Sequence, residues 1–532
     1  MDTSSRFARA ATLFAALTLL DVSLTFQNVW PTPMVRWEGE LSIELAIVLL
    51  AIAAATSRFG RLSNRVLRLL GLAWVVAVIG HYADVSAEGL YGREVNLYWD
   101  LRFIPDVTAL FVRAAPLWLV VVSVAVSAGV LLLMYIVLRW ALKRVADASA
   151  GERRFVAALG AALVCLFVVD AIARRSVLGQ FSAPVIATAA RQTRLVAQAL
   201  TGRTSLPPSP GFESDLARVN GADVFLIFLE SYGAVTFDRP QFATRLAGDR
   251  ARFETAVRET KRDVVSAFVE SPTFGGSSWL AHISLMSGIE VRGPDTNALL
   301  MTQKRPTLVT TFSHRGYRTI ALMPALWQLW PEGAFYNFDE IYGGRRLDYH
   351  GPQFGWFDMN DQFALARLDM VETSRAPRRP LFVFFPTITT HTPFSPTPPY
   401  QPDWTRVLSG HPYDSGELKR AYIRQPDWLN LGPSYMDAMS YAYTTLSGYL
   451  RQRAASDFVM IVLGDHQPPA LVSGEGAPWD VPVHVITNRG AVLERLRAHG
   501  FRSGIVPARP GLGRMHTLLP IVLDAFGEHQ GE

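Results

Sequence analysis

A strand-to-helix turn is predicted by the sequence Glu270-Ser-Pro-Thr-Phe-Gly-Gly-Ser-Ser-Trp-Leu-Ala-His-Ile-Ser-Leu-Met-Ser-Gly288, which follows a strand-like apolar run at Val264–Val269. Two glycines and two serines come first. The apolar residues that follow have helical spacing and are Trp279, Ile283 and Met286. A β-branched run, a glycine turn and a helical pattern in this order predict an α/β unit that places a serine at the start of a helix.

The start of such a helix is a favourable place for an anion. Backbone N–H groups point outward there, and the helix dipole attracts negative charge. Gly275 and Gly276 would let a ligand approach the backbone closely. Ser277 or Ser278 is therefore a candidate nucleophile that faces a phosphate-like group. The alternative is an ordinary Gly-Ser loop that only caps the helix, because serine is a favoured N-cap residue.

The composition favours a membrane protein with more than one domain. The chain has 532 residues, of which 49% are hydrophobic and 18% charged, and the apolar residues concentrate in the first third. The net charge of +5 could suggest nucleic acid, but the arginines lie mainly beside apolar segments, which favours bilayer topology and no nucleic-acid partner. The single cysteine, Cys165, excludes an intramolecular disulfide.

Five apolar segments precede residue 175, and most are near the roughly 20 residues that a helix needs to cross hydrocarbon. They span residues 8–27, 42–57, 66–82, 116–139 and 155–173. Basic residues concentrate before the first segment and in two alternate loops, whereas the other loops are mixed or acidic. The positive-inside rule therefore predicts a multi-pass protein of the cell (inner) membrane, with a cytoplasmic N-terminus and a periplasmic or extracellular C-terminal part.

We predict three parts: a five-span anchor at 1–175, a juxtamembrane amphipathic helix and linker at 176–220, and an extracytoplasmic domain at 221–532. Apolar residues within 185–200 can share one helical face, as in a helix that lies on a membrane surface. The break Leu206-Pro-Pro-Ser-Pro-Gly211 then separates this helix from the last part.

Short apolar runs alternate with helical stretches after residue 221. The candidate strands are Asp223–Leu229, Asp263–Val269, Arg318–Leu322, Leu381–Phe385, Asp457–Leu463 and Val481–Ile486. Several of them are almost continuously apolar, as expected for strands buried on both faces. We predict an α/β/α sandwich with a largely parallel sheet, whose ligands lie at the carboxyl ends of the strands.

Metal-ligand residue types occur at those ends. Glu230 directly follows the first strand, and the adjacent pair Asp465-His466 follows a later one. With a serine oxygen from the Gly-Gly-Ser-Ser turn they supply three oxygens and one nitrogen, which suits one divalent ion, Mn²⁺, Zn²⁺ or Mg²⁺. The alternatives are that Glu230 caps a helix and that Gly-Asp-His forms a turn.

The last part resembles the alkaline phosphatase/sulfatase superfamily. Together with the five-span anchor it looks like the lipoteichoic acid synthase-type phosphoglycerol transferases and, more distantly, the phosphoethanolamine transferases. The resemblance implies that Glu230, Asp465 and His466 bind metal. It also implies a hydroxyl nucleophile ten residues before a Ser/Thr-Gly pair, which is Ser278 before Ser287-Gly288, with Ser277 as the alternate. Serine here replaces the family's usual threonine.

Two further residues enter through the same resemblance. His391, in Phe384-Phe-Pro-Thr-Ile-Thr-Thr-His-Thr-Pro-Phe394, matches a histidine that contacts the substrate phosphate, and Trp330 matches a tryptophan that contacts glycerol phosphate. Glu332 lies where the family has an arginine, which leaves the head group open. His484 is expected to be a strand residue and not a second-metal ligand. The sulfatase signature is not met after Ser278.

These observations predict a membrane-anchored, metal-dependent phosphotransferase. It would move a phospholipid head group, phosphoglycerol or a related group, to an extracytoplasmic glycan, a lipid-linked acceptor or another hydroxyl through a phospho-serine. One alternative is a phosphodiesterase or sulfatase-like hydrolase with the same site and water as the acceptor. The other is a non-catalytic lipid-binding module.

Overall fold

The computed structural model divides the chain into two compact units, Met1–Thr201 and Gly202–Glu532. The residues that it describes are 3–29, 34–91, 95–101, 104–105, 108, 112, 117–173, 181–201, 206–327, 330, 332–355, 358–374 and 377–528. Parts of the predicted connector, 176–180 and 202–205, lie outside the described residues.

The first unit is mainly helical. Its helices are Thr3–Val22, Ile43–Phe59, Asn64–Tyr91, Leu97–Asp100, Leu117–Ala173 and Pro184–Thr201. Short strands pair Phe26–Asn28 with Val35–Trp37 and Leu41–Ser42 with Phe181–Ser182. The long run Leu117–Ala173 is interrupted at Glu152, whose φ of −130° and ψ of 51° are not helical. The predicted segments 116–139 and 155–173 therefore lie on either side of a kink.

Two stretches of the described residues are long and apolar enough to cross a membrane, Asn64–Ala87 and Leu117–Ile172. Helices also occupy the positions of the first two predicted segments, at Thr3–Val22 and Ile43–Phe59. The second of these has 17 residues, fewer than a full crossing of hydrocarbon requires. The count of five spans stays a prediction.

Polar contacts join the predicted surface helix to the rest of the first unit. The backbone N–H of Ile186 donates to Glu44 Oε1 at 2.9 Å, and Thr188 Oγ1 donates to Asp84 Oδ2 at 2.9 Å. The helix Pro184–Thr201 is therefore packed against this unit through its first turns.

The second unit is built on an eight-stranded sheet, whose strands we number β1–β8 in chain order. They are β1 Asp223–Leu229, β2 Asp263–Glu270, β3 Arg318–Met323, β4 Glu340–Gly343, β5 Leu381–Pro386, β6 Phe458–Gly464, β7 Asp480–Thr487 and β8 Arg502–Ser503. Their order across the sheet is β8-β2-β7-β6-β1-β5-β3-β4.

The sheet is mixed, which corrects the prediction of a largely parallel one. The pairs from β6 through β1, β5 and β3 to β4 are parallel. β7 is antiparallel to β6 and to β2, and β8 is antiparallel to β2. β2 nevertheless points the same way as β1 and β6, because two reversals separate it from β6. The carboxyl ends of six strands therefore lie at one edge.

Helices cover both faces of this sheet. The helical segments are Ala217–Val219, Val235–Asp238, Pro240–Glu259, Ser278–Ser287, Pro294–Met301, Leu308–His314, Gly333–Tyr336, Gly344–Leu347, Asp361–Leu368, Asp369–Thr373, Trp404–Val407, Ser415–Ile423, Gly432–Gln452, Ala470–Ser473, Gly490–Ala498, Met515–Thr517 and Leu518–Phe526. β1 is buried along its whole length, and its side chains alternate between two separate apolar clusters. This is the predicted three-layer α/β/α arrangement, with one core on each side of the sheet.

Candidate active site

Glu230 and Asp465 lie side by side because β1 and β6 are adjacent and parallel. Leu229, the last residue of β1, pairs with Gly464, the last residue of β6, and each carboxylate comes directly after this pair. Side chains alternate along a strand. The apolar residues two positions before each carboxylate belong to the core cluster that also contains the helix Ser278–Ser287. Both carboxylates are thus on the side of the sheet where this helix packs.

The loop between β2 and this helix is tied to the end of β6. Ser271 Oγ donates to the carbonyl oxygen of Asp465 at 2.5 Å, and the backbone N–H of Gly275 donates to the carbonyl oxygen of Gln467 at 3.1 Å. Gly275 has a φ of 65° and Ser277 a φ of 60°, so the chain turns sharply through left-handed conformations before the helix begins. These contacts set where the first residue of the helix lies.

That first residue is Ser278. Its Oγ donates to Glu230 Oε2 at 2.9 Å and lies 3.1 Å from His466 Nε2. Ser277 is the N-cap residue and makes no side-chain capping hydrogen bond. Of the two serines that the sequence left open, Ser278 is the one whose hydroxyl contacts the carboxylate and the imidazole.

His466 is oriented through its other ring nitrogen. Nδ1 lies 2.7 Å from the carbonyl oxygen of Gln467, so Nδ1 carries the proton that is donated there. Nε2 faces Glu230 Oε1 at 3.4 Å and Asp465 Oδ2 at 3.7 Å. Metal-binding histidines typically donate their second N–H to a carbonyl in this way.

Three side chains could hold a metal ion together. Ligand atoms of Glu230, Asp465 and His466 all lie within 4.8 Å of one another, and all three residues are buried. With the hydroxyl of Ser278 the donors are the predicted three oxygens and one nitrogen. This set fits a divalent cation such as Zn²⁺ or Mn²⁺ by ligand chemistry.

The ionisation states of Glu230, Asp465 and His466 depend strongly on one another. Burial, together with the negative charge of Glu230, raises the pKa of Asp465 well above its usual value. Burial also opposes ionisation of Glu230, but the charge and hydrogen bond of His466 outweigh it and lower the pKa of Glu230. Burial would lower the pKa of His466, yet the charges of Asp465 and Glu230 raise it to about 9. A divalent cation would replace the shared protons and neutralise both carboxylates.

His391 lies on the loop that follows β5, close to Glu230. The backbone N–H of Glu230 donates to Thr387 Oγ1 at 3.0 Å, and His391 Nδ1 lies 2.7 Å from the carbonyl oxygen of Thr392. The charge of His391 contributes to the lowered pKa of Glu230, after the larger effects of burial and of His466. His391 is half-buried and lines a cavity of about 30 Å³, room for about one water molecule.

Sequence reasoning missed Asp361, which holds this loop. Its carboxylate accepts hydrogen bonds from the backbone N–H groups of Ile388 at 2.7 Å and Thr389 at 3.0 Å. Burial raises the pKa of Asp361 to about 6, although these hydrogen bonds oppose the shift. An aspartate at the first turn of a helix is ordinary, so the sequence carried no signal for this second role.

Trp330 lies in an aromatic group at the edge of the core. Its ring stacks on Tyr336 with centroids 5.5 Å apart, and it packs against the same core cluster as the Ser278–Ser287 helix. Glu332 is exposed. These contacts give Trp330 a packing role, and its predicted contact with substrate stays a prediction.

His484 lies on β7 on the opposite face of the sheet from Glu230. Its Nδ1 is 2.7 Å from Ser266 Oγ and its Nε2 is 2.9 Å from the Tyr232 hydroxyl, so both ring nitrogens are engaged. Ser266 also donates to the carbonyl oxygen of Gly504, so His484 Nδ1 is the donor toward Ser266. His484 is a buried strand residue with structural partners, as expected.

His282 is a second residue that the sequence did not single out. It lies one turn after Ser278, is 8% exposed, and packs between the rings of Phe228 and Phe384 at centroid distances of 4.5 and 5.3 Å. Burial lowers its pKa to about 3. His282 is therefore a neutral imidazole directly behind the candidate nucleophile.

No family model matches the sequence, and no curated protein matches it. Solved structures do match. A lipoteichoic acid synthase, LtaP from Listeria monocytogenes, is 15% identical, with 62% of this chain and 77% of that chain covered and a TM-score of 0.39. The phosphoglycerol transferase GacH of Streptococcus pyogenes, in complex with sn-glycerol-1-phosphate, is 12% identical, with 64% and 81% covered and a TM-score of 0.36.

A third match is the C-terminal periplasmic domain of EptC from Escherichia coli in complex with zinc. It is 12% identical, with 53% of this chain and 77% of that chain covered and a TM-score of 0.34. The resemblance stated from the sequence is confirmed as a resemblance. At such low identities and TM-scores, the activity of this chain has to be argued from its own residues.

Proposed function

We propose that this chain is a membrane-anchored, metal-dependent phosphotransferase with Ser278 as its nucleophile. The observation that supports this most directly is the position of Ser278 Oγ, 2.9 Å from Glu230 Oε2 and 3.1 Å from His466 Nε2 at a strand-to-helix turn. A hydroxyl that is ordered by a carboxylate and an imidazole in a buried cluster is the arrangement of an activated nucleophile.

Glu230, Asp465, His466 and the Ser278 hydroxyl would hold one divalent ion, Mn²⁺ or Zn²⁺, with Mg²⁺ as a third choice by ligand type. When bound, the ion would lower the pKa of the hydroxyl and neutralise charge on the phosphate. Ser278 Oγ attacks phosphorus, and its proton has an acceptor in Glu230, to which it is already hydrogen-bonded.

The bond between phosphorus and the diacylglycerol oxygen then breaks, and this oxygen takes a proton from solvent and leaves as diacylglycerol. His391 would contact a phosphate oxygen from the loop after β5, and Trp330 would border the head group. In the second half of the reaction, an acceptor hydroxyl attacks the phospho-serine, the bond from phosphorus to Ser278 Oγ breaks, and the serine regains its proton. Both halves of the reaction use one site because the oxygen of Ser278 is the nucleophile in the first and the leaving group in the second.

The membrane anchor fits a lipid donor. We propose that residues 1–175 form the five-span anchor and 176–220 the juxtamembrane helix and linker. Residues 221–532 would form the catalytic domain, on the periplasmic or extracellular side of the inner membrane. Two apolar stretches of the described residues, Asn64–Ala87 and Leu117–Ile172, support membrane insertion. The donor would be a membrane phospholipid, and the acceptor a glycan or a lipid-linked hydroxyl.

The test compares two adjacent serines in the full chain. We expect Ser278→Ala to lower release of diacylglycerol from labelled phospholipid by 10³-fold or more, roughly the scale of nucleophile removal in other enzymes. Ser277→Ala is the matched control and should retain most of the activity, because Ser277 makes no side-chain capping bond at the turn. Mass spectrometry of the trapped enzyme should place the phosphoryl group on the peptide with Ser278. Full activity of Ser278→Ala would refute the proposal.

Addition of candidate glycans separates transferase from hydrolase. A modified glycan identifies a transferase, whereas release of the free head group alone identifies a hydrolase that uses the same residues with water. Absence of any turnover with each divalent ion tried would instead favour a lipid-binding module.

A further inference from the structure

An exposed apolar segment, residues 422–431, projects from the second unit. Among the described residues of this unit, six large apolar side chains are exposed, and four of them lie in this segment. The four, with their exposed fractions, are Tyr422 at 38%, Ile423 at 69%, Trp428 at 54% and Leu429 at 74%. Single exposed apolar residues are normal on soluble surfaces, but such a concentration marks an interaction site.

The tip of the segment is an ordered turn. The backbone N–H of Leu429 donates to Asp427 Oδ1 at 3.0 Å, and that of Asn430 donates to the carbonyl oxygen of Asp427 at 2.9 Å. Leu431, the next apolar residue, is only 2% exposed and fixes the base of the turn in the core. Trp428 and Leu429 are therefore held outward by the turn and its anchored base.

The segment is joined to the wall of the cavity that His391 lines. The ring of Tyr422 stacks on Phe354 with centroids 5.5 Å apart and planes 15° from parallel. Ser395 Oγ donates to the carbonyl oxygen of Arg424 at 2.5 Å. Phe354 and Ser395 both line that cavity. A surface that binds the segment would therefore lie beside the loop that carries His391.

Basic residues flank the apolar ones. Lys419 and Arg420 are exposed on the same stretch of chain, whereas Arg424 pairs with Asp437, Nη1 to Oδ2 at 2.8 Å, and the carboxylate of Asp427 accepts a hydrogen bond from the backbone of the turn. Tryptophan and leucine beside lysine and arginine are the composition of segments that lie in a membrane interface, where the apolar groups enter the acyl boundary and the cations contact anionic head groups.

We propose that residues 422–431 insert shallowly into the interface of a phospholipid bilayer and bring the cavity beside His391 to the head-group layer. That this contact serves to bring the site to its lipid substrate rests on the proposed function. The contact itself requires no turnover, so it can be measured in Ser278→Ala and stands or falls independently of the reaction.

The experiment uses the full chain with its single cysteine removed, Cys165→Ala. An environment-sensitive NBD fluorophore is attached at Leu429→Cys or, as the control, at Val506→Cys. Val506 is an apolar residue of the same unit that is 60% exposed and outside the segment. The protein is reconstituted in vesicles of phosphatidylglycerol and phosphatidylcholine, with or without brominated acyl chains.

We expect brominated lipid to quench the label at position 429 at least about twofold more than the label at 506, as for a side chain that reaches the acyl boundary. A label at Ile423→Cys should behave like the one at 429. Equal quenching at 429 and 506, or none at 429, would overturn the proposal. So would a spectral change at 429 that follows protein concentration and not bromination, because it would identify a second copy of the chain as the partner.

Discussion

Buried carboxylates lie at both ends of the central strands, but they are neutralised differently at the two ends. We call the side where the parallel strands begin the amino edge and the side where they end the carboxyl edge. At the amino edge, Asp223 begins β1 and is 2% exposed. It accepts two hydrogen bonds from Arg378 at 2.7 Å and one from Arg453 at 2.6 Å. At the carboxyl edge, Glu230 and Asp465 have carboxylate oxygens within 4.8 Å of each other, and among the described residues their ion pairs are with His466.

This difference distinguishes buried charges that stabilise the fold from buried charges that are suited to a functional site. Buried carboxylates that are matched by arginines and backbone N–H groups are satisfied within the protein. Buried carboxylates that share one imidazole repel each other and raise a pKa, as at Asp465. A buried cluster of two carboxylates and one imidazole with no arginine or lysine ion pair among the described residues is one that an external cation would complete.

Asp465→Asn tests the carboxyl edge and should have the largest effect. Loss of one of two metal-binding carboxylates would weaken cation binding and transition-state stabilisation together, so we expect head-group transfer to fall on the order of 10⁴-fold. Added Mn²⁺ or Zn²⁺ should raise the melting temperature of the parent by ligand linkage and should raise that of the variant much less. Calorimetry with and without metal, beside a lipid-release assay, measures both.

Ser473→Ala is a control for local perturbation near that edge. Its hydroxyl donates to the carbonyl oxygen of Pro468 at 3.1 Å, with that of Pro469 at 3.4 Å, just after Asp465 and His466, but it contacts no proposed ligand. It should retain the metal response. An Asp465→Asn variant that keeps both activity and the metal response would remove the proposed site.

Much of this site could be predicted from the sequence because its elements are local. β1 was predicted with its observed bounds, and the carboxylates follow apolar strands directly. β4 and β8 were missed because each is short and lies at an edge of the sheet, where no continuous apolar run is required.

The direction of β7 could not be predicted from its own residues. A strand that is apolar throughout has the same pattern whether it runs parallel or antiparallel. The link from Gly464 to Asp480 contains only the short helix Ala470–Ser473. A parallel return usually contains a crossover helix that packs on the sheet, and a helix of 4 residues is too short for this, so the link favours an antiparallel neighbour.

Arg453→Met tests the amino edge. Arg453 is 4% exposed and donates to both Asp223 and Asp369, and its guanidinium lies over the ring of Phe225 at 5.3 Å. Methionine would fill part of the space but leave the carboxylates short of a buried cation. We therefore expect the free energy of unfolding to fall by about 3 kcal/mol.

Urea unfolding of the full chain in detergent, followed by tryptophan fluorescence, measures this change. The matched control is Arg451→Met. Arg451 pairs with Glu259, and both side chains are about half exposed, so loss of this pair should lower the free energy of unfolding by less than about 1 kcal/mol. Equal destabilisation by the two substitutions would mean that the amino edge is not stabilised by its buried charges.

Asp361→Asn should have the smallest effect and sharpens the comparison, because Asp361 is a buried carboxylate near the carboxyl edge that is held by backbone N–H groups. Burial raises its folded pKa to about 6, and the charge of Glu230 adds to the shift. A group with a raised folded pKa stabilises the protein fully below its unfolded pKa, and this stabilisation is lost as the pH rises through the folded value.

We therefore expect ionisation of Asp361 to lower the free energy of unfolding by about 2 kcal/mol between pH 4 and pH 7, at about 1.4 kcal/mol per unit of pKa. Asparagine cannot ionise, so Asp361→Asn should flatten this part of the pH profile, whereas Asp348→Asn, at an exposed carboxylate, should leave it unchanged. A parallel profile for Asp361→Asn and the parent would show that the backbone N–H groups of the His391 loop already stabilise the ionised carboxylate as fully as arginines do at the other edge.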